Sequence, residues 1–445
     1  MKKGITRKIL ALTPVLALLL ALAACGGSAG GGPSDSPSPP QSSQPSEGQP
    51  SEVQPSGSDA ASPPDGSAAP SGEPIKIGML WGLVGACEQL DTYCRDAAML
   101  AVEKVNAEGG INGRPLEVVL EDYASDPDTT AQKTKKLILQ DEVTAILGTT
   151  LGSCFEAAKP VVEDNGALLI YPTLAFGEQT SENVVYTGGT SYGQTKDVVE
   201  YFINEKGVKK IFLLGSDYSY PVTINRQVRA IAEQYDDVEI VGEEYLPIPS
   251  TDFASVINKI KASGADFIYY NMVADSLAAG YKQFEQYGIN YDDISVVSVI
   301  TADPDALLAG PAITGTYSTF SYFHTVDNAK NAEFLGMYAE KYGEEQAAKV
   351  GGTPEASYLS VLMLAEALKA AGDDLSPQNI KSKFAGMSID SPQGACEVDP
   401  ETFYLSTKTY LARWDENMQA EIVYESDAAN VAEVWPTLLY PNGAP

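Results

Sequence analysis

The chain of 445 residues contains a single histidine, His324. That scarcity excludes a His-rich metal centre and leaves one candidate base for any Ser-His-Asp triad. Basic residues are also few, with 29 Lys and Arg against 60 Asp and Glu and a formal charge of -31. So acidic a chain is a poor match for nucleic acid, which is excluded as a partner. Cysteine is sparse: Cys25, Cys87, Cys94, Cys154 and Cys396. Cys87 and Cys94 do not have a zinc-ligand spacing, so neither a metal nor any other cofactor is expected. Long apolar runs are missing too, since the stretch from Ile9 to Ala23 is too short to span a bilayer.

That short run follows a basic start, Met1-Lys2-Lys3 through Arg7-Lys8, and reads as a secretory signal over residues 1–24. Its end, Leu22-Ala23-Ala24-Cys25, resembles the bacterial lipobox, which implies cleavage before Cys25 and a lipid on its sulfur. Removing the signal takes away four basic residues and no acids, leaving a net charge of -35. Residues 26–73 are almost wholly Gly, Ser, Pro, Ala, Gln, Asp and Glu. Such a segment cannot bury enough apolar surface to fold. Residues 25–73 therefore read as a lipid-anchored tether, reaching roughly 40 Å as a flexible coil. The expected location is extracytoplasmic, on the membrane of a bacterium, and the long tether fits a Gram-positive surface better than a periplasm. The exported cysteines allow a staple between Cys87 and Cys94, with free thiols as the alternative.

From residue 75 a strand–helix rhythm begins. Ile75–Leu80, Leu116–Leu120, Val143–Leu147 and Ala167–Tyr171 read as strands, with helices over 96–108, 129–140 and 154–164 between them. After Val184–Tyr186 and the glycines of Thr187-Gly188-Gly189 the rhythm restarts. Strands are expected at 211–214, 238–241, 267–271 and 296–300, with helices at 194–205, 222–235, 253–262 and 276–287. Alternation of this kind predicts α/β architecture with parallel sheets covered by helices. About 370 residues exceed what one core usually holds, so two lobes are expected. Helices at 329–341, 355–370 and 377–384, then strands near 395–398, 410–414 and 421–424, suggest that the chain crosses back between them.

"AVEKVNAEGGINGRPLEVVLEDYASDPDTT" (101–130) resembles the opening unit of the type I solute-binding proteins for branched-chain amino acids, urea and short-chain amides. "GALLIYPT" (166–173), "FLLGSDYSYP" (212–221), "GEEYLPIPSTDFASVINKIKASGADFIYYNMVADS" (242–276) and "IDSPQGACEVDPET" (389–402) resemble the urea and short-chain-amide branch. The resemblance covers 75–425 and implies two Rossmann-like lobes joined by a three-segment hinge. Lobe 1 would comprise 74–187 and 321–389, and lobe 2 would comprise 188–320 and 390–437. It also implies a small ligand (an amide, urea or an amino acid) in the interlobe cleft. The closed form would dock on an ABC permease served by cytoplasmic ATPases.

Carried onto this chain, the resemblance makes Tyr218 and Tyr220 the second lobe's ligand contacts, supplying ring faces and hydroxyls. The first lobe would answer with Tyr171, Thr173, Thr150, Ser153 and Trp81, while Asp275 could accept from an amide N–H or an ammonium. The bland alternatives are apolar cover for the tyrosines, a helix cap for Ser153, a loop anchor for Trp81 and a helix N-terminal charge for Asp275. Four positions depart from the family pattern: Val84, Gly152, Ala175-Phe176-Gly177 and Tyr192. They lower the polarity of the cleft and favour a larger or more aromatic-faced ligand than urea.

Two other readings compete. "GTSYG" (189–193) satisfies the G-x-S-x-G pattern of a serine hydrolase using Ser191, with His324 as the only base. No His-Gly-Gly-Gly oxyanion motif accompanies it, and a hinge also needs these glycines, so a non-enzyme is expected. A ligand-sensing lipoprotein or receptor module is the other alternative, because the same fold serves sensing.

Overall fold

The computed structural model describes residues 70–443 apart from Ala274. The signal, Cys25 and the tether up to residue 69 lie outside the described residues. The first lobe opens with β1 (Ile75–Trp81), α1 (Glu88–Ala107), β2 (Leu116–Asp122), α2 (Pro127–Leu139) and β3 (Ala145–Leu147). It continues with α3 (Gly152–Asp164), β4 (Leu169–Tyr171) and β5 (Val184–Tyr186). The five strands form one parallel sheet in the order β2-β1-β3-β4-β5. β3, β4 and β5 are buried along their whole length, as strands covered by helices on both faces must be. Sequence chemistry fixes the start of α2. Asp126 accepts from the Thr129 backbone N–H at 2.8 Å, and Pro127 takes the first turn, where no amide is needed.

The second lobe repeats the plan. It runs α4 (Ser191–Lys206), β6 (Lys210–Ser216), α5 (Ser219–Ala232), β7 (Glu239–Leu246) and α6 (Ala254–Ser263). Then come β8 (Phe267–Asn271), α7 (Asp275–Gln286), β9 (Ser295–Ser298), α8 (Asp303–Ala309) and β10 (Tyr317–Phe320). The parallel core, β7-β6-β8-β9-β10, has the same order as the first sheet. The chain returns through α9 (Ala329–Tyr342), α10 (Glu344–Ala347), α11 (Gly352–Ala371) and α12 (Pro377–Ser382). Of these, α11 lies along α1 and completes the first lobe.

A small antiparallel sheet follows, made of β11 (Ser388–Ser391), β12 (Gly394–Val398) and β13 (Leu405–Ser406). The chain finishes with β14 (Tyr410–Trp414) and β15 (Ala420–Glu425), which extend the second sheet beyond β10. Tyr404 bridges to Tyr186 of β5 and its ring stacks on that tyrosine at 3.9 Å. Residues 390–406 therefore sit beside the first sheet, whereas the sequence pattern places them in the second lobe. The third crossing falls at Thr407–Thr409.

Helix α1 begins at Glu88, two turns before the expected start at Asp96. Buried Asp91 interrupts the apolar spacing of those turns, so the pattern there reads as a loop. The longer helix also overturns the expected Cys87–Cys94 staple. Seven residues along a helix span about 10 Å, whereas a disulfide needs Cα atoms about 4.4–6.8 Å apart. Cys87, Cys94, Cys154 and Cys396 are free thiols.

The first crossing, Thr187–Thr190, depends on its glycines. Gly189 adopts φ +70°, and a Cβ on Gly188 would lie 2.3 Å from the Thr173 carbonyl carbon. No rotamer relieves a clash with backbone. Gly188→Ala is expected to lower stability by about 1–3 kcal/mol, read as a shift in the urea midpoint at unchanged slope.

Candidate functional site

In each sheet the strand order reverses between two neighbours, β1 and β3 in the first lobe and β6 and β8 in the second. Connections leave on opposite faces at such a point and open a crevice at the carboxyl ends of the strands, where α/β folds bind ligands. The loops at these ends are Gly82–Cys87 and Gly148–Leu151 in the first lobe. In the second they are Asp217–Tyr218 and the turn between Asn271 and Asp275.

A buried relay shapes the first lobe's side. The Thr150 and Tyr123 hydroxyls lie 3.0 Å apart, and the Tyr123 hydroxyl donates to Asp91 Oδ2 at 2.7 Å. The same oxygen accepts from the Gly82 N–H at 2.9 Å, which pins the β1–α1 loop. The Cys87 N–H donates to Ser125 Oγ at 3.0 Å. Burial raises the Asp91 carboxyl to about 6, against the opposing bonds from Tyr123, Thr150 and Gly82. Burial, and then the charge of Asp91, push the Cys87 thiol up to about 11. At neutral pH Cys87 is an uncharged thiol, without the thiolate a nucleophile needs.

Tyrosines meet across the lobes. Tyr171 ends β4 and is buried, with its ring 4.1 Å from that of Phe155. Burial raises its hydroxyl pKa, and nearby charges, including that of Tyr218 in the second lobe, add to the rise. Tyr220 is half-buried in the first turn of α5, and its ring edge meets Phe176 at 6.3 Å. Burial raises its hydroxyl pKa well above the usual range, and Tyr218, Tyr269 and Tyr171 are among the groups beside it. Tyr218 is 37% exposed; burial of its hydroxyl raises its pKa too, with a smaller contribution from Cys87 of the first lobe. Backbone and charge tie the lobes beside this cluster. Gln227 donates to the Phe176 carbonyl at 3.1 Å, and Arg226 pairs with Glu178.

The other expected site residues are placed unevenly. Thr150 is in the relay, and Ser153 is exposed in the first turn of α3. Thr173 spends its hydroxyl on the Thr149 carbonyl at 2.8 Å. Asp275 is exposed as the first residue of α7. Trp81 is fully buried at the end of β1 rather than in the loop, and its ring N–H has no partner among the described residues. Asp91 and Tyr123 were not anticipated as site residues, and Cys87 was expected only as a disulfide partner. Their signal would have been the buried-helix reading of residues 88–94, which the polar side chains conceal. Among the described residues no group of His, Cys, Asp and Glu could hold a metal ion, and no helix is long and apolar enough to cross a membrane.

Comparison with known proteins agrees with this geometry. A family model described as a periplasmic binding protein domain matches residues 75–441. The chain belongs to the periplasmic binding protein family. The leucine-, isoleucine-, valine-, threonine- and alanine-binding protein of Pseudomonas aeruginosa is 25% identical over 323 residues, covering 72% of this chain and 84% of that protein. Among solved structures, an ABC-transporter solute-binding protein of Rhodopseudomonas palustris in complex with p-hydroxybenzoic acid superposes with a TM-score of 0.74 at 21% identity. That match covers 82% of this chain and 99% of the other. A branched-chain amino acid substrate-binding protein of Streptococcus pneumoniae in complex with isoleucine gives 0.70 at 24% identity, covering 79% and 99%. At these identities the structures establish shared fold.

The relatives of this periplasmic binding protein bind substrates rather than transform them, and among the described residues Ser191 and His324 are not joined. Ser191 is the first residue of α4, buried, with its hydroxyl beside the Tyr220 phenol. His324 is committed elsewhere, Nδ1 to Asp303 at 2.7 Å and Nε2 to Gln419 at 3.0 Å. The G-x-S-x-G match is therefore the hinge.

Asp91 is kept at a thermodynamic cost. A carboxyl that ionises near 3.8 when free and near 6 when folded makes the protein less stable as pH climbs between those values. Above pH 6 the loss is complete, at roughly 3 kcal/mol. Asp91→Asn is expected to remove this slope, which urea midpoints at pH 4 and pH 7 would measure. The same change gives up the charge-assisted bond that pins Gly82, so ligand affinity is expected to fall about tenfold by calorimetry.

Proposed function

We propose that this periplasmic binding protein is the extracytoplasmic substrate-binding component of an ABC importer, lipid-anchored through Cys25. It would hold one small solute between its lobes and present it to a membrane permease served by cytoplasmic ATPases. The carrying observation is that Tyr171, at the carboxyl end of β4, and Tyr218 and Tyr220, just beyond β6, lie at strand ends of the two sheets, with Phe176 and Tyr220 in ring contact between the segments. Ligand that touches both lobes selects the closed state, which is the form a permease can distinguish.

The chemistry favours a compact amino acid or aromatic acid over urea. The expected ligand contacts are mostly hydroxyls and aromatic rings, and the nearby Arg226 is already paired with Glu178. A ligand carboxylate would be held by backbone N–H groups at the start of α3, near Gly152 and Ser153, and by the Thr150 hydroxyl. Asp275, exposed at the start of α7, would accept from an ammonium. Phe176 and Val84 stand where the urea and amide branch has more polar residues, which suits a ligand with an apolar body. The named ligands of the Pseudomonas relative and of the two structures support the same class.

The test is a melting-temperature screen of the purified chain against branched-chain amino acids, hydroxybenzoates, short amides and urea. A ligand that binds only the folded state raises the melting temperature by mass action. A shift with an amino acid or an aromatic acid is expected. A shift with urea or amides alone would reverse the ligand class, and no shift with any of them would count against solute capture.

A further inference from the structure

A cavity opens on the first lobe beside the β1–α1 loop. It measures about 590 Å³ and opens between the first turns of α1 and the α9–α10 corner. That volume falls within the range of small-molecule sites. Three tyrosines line it: Tyr93, Tyr338 and Tyr342. The Tyr338 and Tyr342 rings lie 4.8 Å apart at 48°. The Tyr93 hydroxyl donates to Gln346 Oε1 at 2.6 Å, and the Tyr342 hydroxyl donates to the Asp96 carbonyl at 3.3 Å.

Tyr338 differs from both. It is 1% exposed, yet its hydroxyl makes no hydrogen bond with any described residue. Asp96, Tyr93 and Tyr342 surround it. The hydroxyl of this otherwise buried side chain opens onto the cavity, where an occupant can bond it without displacing a protein partner. The charges on the wall give the sign of that partner. Glu88 and Asp96 line the cavity, and no Lys, Arg or His does. Arg95 engages only Oδ1 of Asp96, Lys349 is held by Glu345 at 2.8 Å, and Lys341 sits over the Tyr342 ring at 5.3 Å.

We propose that this cavity binds a small organic cation of the alkylammonium class. Ring faces attract a desolvated ammonium through their quadrupoles, and the carboxylates complete the neutralisation. Tyr338 would accept from an N–H or face a methylated head group. Gly85 and Ala86 form part of the rim, in the loop between β1 and α1. The site thus borders the interlobe cleft without sharing the residues proposed to hold its ligand.

The experiment is calorimetric titration of the full chain with choline and with butylammonium, alongside 3,3-dimethyl-1-butanol as the neutral analogue of choline. One of the two cations is expected to bind roughly tenfold or more tightly than the neutral alcohol. Asp96→Asn and Tyr338→Phe should each weaken that binding several-fold, and Glu88→Gln, at an exposed position, provides a variant that leaves packing untouched. Tyr220→Ala should leave it unchanged. The proposal fails if neither cation binds at concentrations up to about 10 mM, or if the neutral alcohol binds equally well. It fails too if Glu88→Gln, Asp96→Asn and Tyr338→Phe all bind like the parent, or if Tyr220→Ala abolishes binding, which would place the cation in the interlobe cleft.

Discussion

A chain carrying Tyr220→Ala is expected to bind its cleft ligand about 100-fold more weakly than the parent, the scale on which truncating a buried aromatic side chain weakens a binding centre. The ring meets Phe176 from the other side of the hinge, and Ser191 and the Tyr218, Tyr269 and Tyr171 phenols are the groups that influence its hydroxyl. Truncation therefore removes both a ring face and a bridge between lobes. Tyr220→Phe separates the two contributions. Loss of the hydroxyl alone should cost a hydrogen bond of about 0.5–1.5 kcal/mol, a drop of about two- to thirteenfold. Calorimetry with the ligand found by the melting screen reads both numbers. Unchanged affinity in Tyr220→Ala would move the binding centre away from the β6–α5 loop.

The second large effect concerns stability. Glu355 is fully buried in the first turn of α11, and neither carboxylate oxygen has a well-formed hydrogen bond among the described residues, the Gln393 backbone N–H being the group that comes nearest to one. Burial pushes its carboxyl up to about 8, offset only in part by the Gln393 backbone N–H. The groups whose own ionisation it influences are Tyr322, Tyr358, Cys396 and Tyr410, none of which is a cation. Tyr322 and Gln393 belong to the segments that leave β10 and join β11 to β12. The carboxyl thus sits between the second crossing and the small sheet.

The sign follows from proton binding. Below about pH 4.5 both folded and unfolded chains hold the proton, and Glu355 costs nothing through ionisation. As pH rises toward 8 the unfolded chain releases it first, so stability falls, and above 8 the loss is complete. At pH 7 the loss is roughly 3 kcal/mol. Glu355→Gln is expected to return much of it at pH 7 and to leave stability at pH 4 nearly unchanged. Urea midpoints at the two pH values decide this. Equal midpoints for parent and variant at pH 7 would show that the buried acid has a partner when folded.

Alternation of strands and helices is legible in the sequence because period and punctuation are local properties. β5 and β8 are bounded to the residue by pattern alone, since apolar runs ended by Thr187 and Asn271 leave little choice. The errors of pattern cluster where polar residues are buried. Asp91 turns two turns of helix into an apparent loop, and the same loop invites a disulfide that helix geometry forbids. The boundary at 390 fails for a related reason. Short strands such as β11 and β13 carry no marker of which sheet they join, and the stacking of Tyr404 on Tyr186 decides it.

Within the site, Tyr171, Thr150, Tyr218 and Tyr220 are legible because each lies at or just beyond the end of a strand that can be recognised from sequence. The relay through Tyr123 and Asp91 is not, because residues 91, 123 and 150 meet only when α1, β2 and β3 are packed. By itself the sequence determined two α/β halves, glycine hinges between them and an acidic, metal-poor surface, all of which follow from composition and spacing. Only the tertiary structure decided which tyrosines face one another, that His324 serves Asp303 rather than Ser191, and that Asp91 and Glu355 are sealed from water. Those outcomes depend on burial and on packing between residues far apart in the chain, and local pattern carries no record of either.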